Sequence, residues 1–309
     1  MTQKTANDNI SPNQDSGLNE KILDKLKKIQ TRFDEISQEL EKPENYQNHK
    51  FLEKLNKEKV QLQKPNELFA QYTKLLKQIS DTRDLINNDR DIRCVILTGE
   101  GSAFSAGGNV KNMKEKKGNF SGSSVALRER YRYGIHRIIR AVWSIEVPVI
   151  AAINGPAIGL GNDVACLADI RIASEKAKFG VTFLKIGLIP GDGGAWLLPK
   201  IIGFSKAAEL LYTGKIINPE TAKEWGLISE ISKHESLMED ANALALEIVK
   251  QPPDALRMAK KLLREGITNS FDTVLEMSAN MQALMHLTED HQEALSAFFE
   301  KRDGNFKGK

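Results

Sequence analysis

The run Val147 to Ile153, largely β-branched and broken by Pro148, passes directly into a bend studded with glycine. The run reads as a buried strand. Behind it, Asn154-Gly155-Pro156-Ala157-Ile158-Gly159-Leu160-Gly161 makes a turn and a bend, and a helix opens near Gly161. Gly159 and Gly161 admit backbone angles and close approaches that a side chain forbids. The Leu160 amide then lies at a helix N-terminus, where free N–H groups and the helix dipole favour negative charge. Asp163 follows one turn later on the same face. A backbone donor beside a carboxylate suits chemistry that builds an oxyanion and moves a proton next to it. The alternative is an acid in a first helical turn that only complements the dipole.

A second bend has the same form. Ile92 to Leu97 reads as a strand, and Ala103-Phe104-Ser105-Ala106-Gly107-Gly108 is a small-residue turn after it. It is either a plain strand-to-helix connection or a second main-chain amide, that of Gly108, offered to a ligand. Two such bends roughly fifty residues apart make the case for a two-donor oxyanion hole.

Composition removes other classes. Net charge is +3 over 309 residues, too little to argue for nucleic acid. No apolar run has the length of a membrane helix, and residues 1–13 are polar, without a signal-peptide core. Cys94 and Cys166 lie in apolar segments and read as buried free thiols. The five histidines are scattered, without metal-ligand spacing. A cytoplasmic protein without metal or nucleic-acid partner is expected.

Residues 1–17 are polar and expected to be disordered. From Ile22, the positions Leu26, Ile29, Phe33, Ile36 and Leu40 form an amphipathic seam that Pro43 ends. A second helix is expected from Asn48 to just before Pro65, and a third through Leu68, Tyr72, Leu75 and Ile79 towards Ile86. Residues 18–87 thus form a helical hairpin or bundle, a packing or dimerisation element without chemistry that could also engage a protein partner. Residues 112–122 read as a mobile loop and Val125 to Ile145 as one helix. Ile170 to Ala173 and Lys178 to Gly180 are short strands. A glycine-rich turn holding Asp192 leads into a helix with Leu197 and Leu198. Helices follow at 206–212 and 218–225, and three more are expected between Ser232 and Phe299.

Two resemblances accompany these readings. The run Leu23-Asp24-Lys25-Leu26-Lys27-Lys28-Ile29-Gln30-Thr31-Arg32-Phe33-Asp34-Glu35, with Phe51-Leu52-Glu53-Lys54-Leu55-Asn56-Lys57-Glu58, resembles the N-terminal helical domain of bacterial peptide-chain release factors. The Gly-Gly-Gln tripeptide of that family is absent, so its function is not carried over. Phe104-Ser105-Ala106-Gly107-Gly108, the Asn154 to Gly161 bend, Ala168-Asp169-Ile170-Arg171-Ile172-Ala173-Ser174 and Gly187-Leu188-Ile189-Pro190 occur in an order that resembles the crotonase superfamily of enoyl-CoA hydratases and isomerases. That resemblance covers residues 88–309.

It implies an α/β fold, a spiral of ββα units with a C-terminal helical trimerisation region. It also implies a homotrimer or homohexamer, and acyl-CoA as the substrate with no further cofactor. The amides of Gly108 and Leu160 would hold the thioester oxygen, and Asp163 falls on the family's first catalytic carboxylate. Phe183 falls on its second, a departure. Asp192 is the nearby acid able to substitute, or else a turn aspartate between glycines. Ala106, Gly107 and Gly159 would line the substrate, Lys111 would meet CoA phosphates, and Phe298 and Lys301 would lie against CoA, that of a neighbouring subunit. The family's usual N-terminal hairpin is missing, its place taken by the helical segment. The rival reading is a catalytically silent crotonase-like interaction protein, or a chimeric or truncated reading frame.

Overall fold

A computed structural model of the chain describes residues 20–309; the disorder expected for residues 1–17 lies outside them. In chain order the elements begin with α1 (Glu20–Glu41), α2 (His49–Asn88), β1 (Val95–Thr98), α3 (Val110–Lys114), α4 (Ser124–Arg130) and α5 (His136–Trp143). Next come β2 (Val149–Ile153), β3 (Pro156–Ile158), α6 (Leu160–Leu167), β4 (Ile170–Ser174), β5 (Lys178–Gly180) and α7 (Gly194–Ile202). The rest are α8 (Phe204–Thr213), β6 (Ile216–Ile217), α9 (Pro219–Glu224), β7 (Glu230–Ser232) and α10 (Leu237–Val249). Three helices close the chain: α11 (Pro253–Glu265), α12 (Phe271–Met285) and α13 (Glu289–Glu300). Two compact units result, one running to Thr82 and including Lys116–Arg137, the other Arg83–Glu115 with Ile138–Lys309.

In the first unit the amphipathic seam is realised. Leu23 and Ile36 of α1 and Leu55 and Phe69 of α2 are buried. Arg32 grips Glu58 with two hydrogen bonds, at 2.7 and 3.0 Å, and Lys59 stands over the Phe33 ring. Pro65 does not break the chain into two helices as expected, and α2 runs through it. Proline removes one ladder hydrogen bond and crowds the preceding turn. Here buried Leu55 and Phe69 hold the helix on both sides of it. The helical stretch expected over 125–145 is present from Ser124 to Trp143, with a π-helical turn, Tyr131–Ile135, between α4 and α5. The expected loop at 112–122 holds the end of α3 and a 3-10 turn, Gly118–Phe120.

The second unit repeats one pattern: a strand in a first sheet, a strand in a second, then a helix. The pattern is seen in β2–β3–α6 and again in β4–β5–α7. A rudimentary copy comes before them. There β1 is followed by Ser105, which bridges Ala157 of β3 in parallel, and then by α3. The first sheet, β1-β2-β4-β7, is parallel throughout, with Val95 opposite Val149 and Ile150 opposite Ile170. The second, β3-β5-β6, pairs parallel and then antiparallel. This is the expected ββα spiral. Among the described residues no strand precedes β1, which stands at a sheet edge. Such edges leave backbone groups unpaired.

All five residues of β2 are buried, so its near-continuous apolar run is a strand covered on both faces. Val149, Ala151 and Ile153 enter the main core with Phe179, Leu197 and Leu210. Ile150 and Ala152 meet Leu237 and Ala241 of α10 on the other face.

Helix α11 locks the starts of the strands. Lys260 Nζ lies 2.7 Å from Asp169 Oδ2 and donates to the Val147 carbonyl at 2.6 Å. Arg264 donates to Asp169 Oδ1 at 3.0 Å and stacks on the Trp143 ring. Four helices, not three, follow Ser232, because Thr288 caps a new helix at α13. No helix among the described residues is long and apolar enough to cross a membrane.

Candidate active site

The two glycine bends predicted from sequence are brought together by backbone pairing. Ser105 N donates to the Pro156 carbonyl at 3.0 Å, and Ile158 N donates to the Ser105 carbonyl at 2.9 Å. The fit is close. A Cβ on Gly161 would stand 2.0 Å from the Ser105 oxygen, and one on Gly107 would stand 3.0 Å from the Ile158 oxygen and 3.5 Å from the Leu160 nitrogen. Both positions therefore require glycine. Gly159 takes φ 57 and ψ −120 as it hands the chain from β3 into α6, leaving Leu160 as the first helical residue. Gly108 precedes Asn109, whose side chain caps α3. Neither the Gly108 nor the Leu160 amide donates to another described residue.

Asp163, one turn into α6, is 0% exposed. Its Oδ2 accepts from the main-chain N–H of Gly194 at 3.2 Å, while Oδ1 is buried and without a hydrogen-bond partner. Asp192, 5% exposed, lies close enough for its charge to act on Asp163. Burial first, and then the Asp192 charge, push the Asp163 carboxyl up to about 7; the Gly194 amide and the Asn162 side chain pull the other way. A carboxyl raised in this way suits an acid that takes and returns a proton near neutral pH.

Phe183 begins a 3-10 turn, Phe183–Ile186, and its ring edge approaches Gly159. An apolar ring thus lies beside the bend. Ala106, Gly107 and Gly108 are solvent-accessible, as is Lys111 on α3. Phe298 and Lys301 lie apart from this cluster. Phe298 is 76% exposed at the end of α13, Lys301 ends that helix in the left-handed conformation, and no hydrogen bond or ring contact of either reaches the residues around Asp163.

Gly193 and Gly194, which from the sequence are only part of a glycine-rich turn before a helix, also shape the site. Gly193, at φ 95, turns the chain into α7, and Gly194 delivers the amide that Asp163 accepts. The available signal was the Gly191-Asp192-Gly193-Gly194 run, where a helix begins on a residue without a side chain.

The profile of the family described as enoyl-CoA hydratase/isomerase matches residues 56–309. The chain belongs to the enoyl-CoA hydratase/isomerase family. The match begins inside α2, ahead of the residue 88 at which the motifs begin, and so takes in part of the helical segment before β1. Among relatives, the 1,2-epoxyphenylacetyl-CoA isomerase of Escherichia coli (strain K12) is 35% identical over 79% of this chain and 89% of its own. The crotonyl-CoA hydratase of Syntrophomonas wolfei is 33% identical over 80% of this chain and 93% of its own. A crystal structure of an enoyl-CoA hydratase from Bacillus anthracis superposes with a TM-score of 0.70 at 36% identity, covering 77% of this chain and 90% of that one. Members of the family are acyl-CoA lyases and isomerases, and this chain is an enzyme of that type.

Proposed function

We propose that the enzyme forms an enolate of an acyl-CoA thioester and moves a proton along the acyl chain, shifting a carbon–carbon double bond. The amides of Gly108 and Leu160 hold the thioester oxygen. Asp163 Oδ1 takes the proton from the α-carbon of a 3-enoyl-CoA. The C–H electron pair passes into the dienolate, whose negative oxygen the two amides stabilise. Asp163 then returns the proton to the far end of the dienolate, giving the 2-enoyl isomer with no net change in atoms.

One observation carries this reading: Asp163 is buried with one oxygen anchored and the other free, one turn from the Leu160 amide. Phe183 favours isomerisation over hydration, since its ring supplies no second acid for a water. The nearness of Asp192 supports a second reading, hydration of a 2-enoyl-CoA with Asp163 and Asp192 sharing that water. The names of the relatives span both reactions. Incubation with 3-enoyl-CoA and trans-2-enoyl-CoA decides between them, read as double-bond migration or as a mass gain of one water. Unchanged mass and absorbance with every enoyl-CoA tried would remove both.

Ala106, Gly107 and Gly159 line the acyl group, Lys111 meets CoA phosphates, and Phe298 and Lys301 serve the CoA of a neighbouring subunit in a trimer or hexamer. The exposed Phe271, Phe298 and Phe299 on the C-terminal helices, with Leu287 in the turn between α12 and α13, support that assembly, because monomers seldom expose so many large apolar groups. Exposed Val60, Leu68 and Leu75 on α2 leave room for a protein partner. The free thiols Cys94 and Cys166 fit a reducing, cytoplasmic setting. The chemistry needs no cofactor beyond the thioester itself.

A further inference from the structure

We infer that Gly194 is a positioning residue for the reaction: the first amide of α7 fixes which Asp163 oxygen works, and the missing side chain makes room for the carboxylate. This rests on the proton-transfer reading above.

Three observations support it. The Gly194 N–H donates to Oδ2, so Oδ1 is the oxygen left for a substrate proton. A Cβ at residue 194 would stand 2.1, 2.4 and 2.5 Å from Oδ1, Cγ and Oδ2, overlapping the whole carboxylate rather than a yielding chain end. Finally, α7 is itself immobilised, with Leu197, Leu198 and Ile202 in the main core, so the carboxylate is the group that has to move. An aspartate has a short reach and one freely rotating bond to its carboxylate. Held between its own helix and the first amide of α7, it keeps a single orientation. The positive end of α7 also favours the charged form, against burial and Asp192.

The test compares Gly194→Ala with the wild-type enzyme in the full-length protein. With 3-enoyl-CoA, kcat is expected to fall at least tenfold with KM within about twofold, and the pH at which kcat is half-maximal to rise by roughly one unit, the scale of a lost hydrogen bond to a charged group. A merely structural role would lower the melting temperature and leave that pH midpoint in place. A second comparison needs no activity. In an Asp163→Gly background the carboxylate is gone and the added methyl fits, so Gly194→Ala lowers the melting temperature of the wild type but not of that variant. Equal losses in both backgrounds, or an active Gly194→Ala enzyme with an unmoved pH profile, would overturn the inference. A wild-type enzyme inactive on every enoyl-CoA would overturn the underlying reading instead.

Discussion

The ring edge of Phe183, Cε1 and Cζ, lies 3.6 Å from the point where a Cβ on Gly159 would stand. An apolar side chain thus occupies the neighbourhood of the bend in which a second acid would hold a water. Phe183→Glu is expected to raise the ratio of hydration to isomerisation at least tenfold, within the usual range of a general acid or base. Phe183→Ala should not. Product analysis by mass after incubation with trans-2-enoyl-CoA measures the ratio.

Gly159 carries the Leu160 amide at φ 57 and ψ −120, a combination that strains any residue with a side chain. Gly159→Ala is expected to cost about 2 kcal/mol of stability and more than tenfold in kcat as the amide shifts. Urea unfolding and steady-state kinetics report the two effects separately, and an equally active, equally stable variant would show that the strained bend does not set the donor.

How much of this was readable in the chain depended on distance along it. The bend from Asn154 to Asp163 is local: three glycines and a first-turn acid, directly behind an apolar strand, announce their own conformation. The contact between Asp163 and Gly194 spans 31 positions and arises only when α7 docks against α6. Periodicity showed the apolar seam of α1 and α2, but the breaker rule misjudged Pro65, because flanking burial outweighed one lost hydrogen bond. Lys260 offered no signal at all. A lysine amid helical charges looks solvated until Asp169 and the Val147 carbonyl close around it.

That lysine has a measurable consequence. Burial pulls its ammonium down to about 8, against the attraction of Asp169. Lys260→Met leaves Asp169 with Arg264 and the Val149 amide, and frees the Val147 carbonyl. A loss of about 3 kcal/mol is expected, the scale for breaking a buried pair, with catalysis of the residual folded protein unchanged. Denaturant midpoints at neutral pH test it, and an unshifted midpoint would show that α11 is held by its apolar contacts.

Asp163 links stability to pH in the opposite sense to an ordinary salt-bridged carboxylate. Its folded pKa, about 7, lies above the ordinary aspartate value of 3.8, so between them the folded chain holds a proton that the unfolded chain has released. Stability from this group is therefore full below about 4 and lost as pH rises through about 7. Asp163→Asn is expected to be more stable than wild type at pH 8, by on the order of 2–4 kcal/mol, with the gap closing by pH 4. Parallel melts across that range measure it; a gap that widens on acidification would mean that the carboxylate is not raised.

The most direct measurement is exchange of the α-proton of a CoA thioester in deuterated water, followed by mass spectrometry. Wild-type enzyme should exchange that proton, and Asp163→Ala should slow the exchange at least a hundredfold, the lower scale for losing a general base. Equal exchange by both enzymes would contradict the assignment of the base to Asp163.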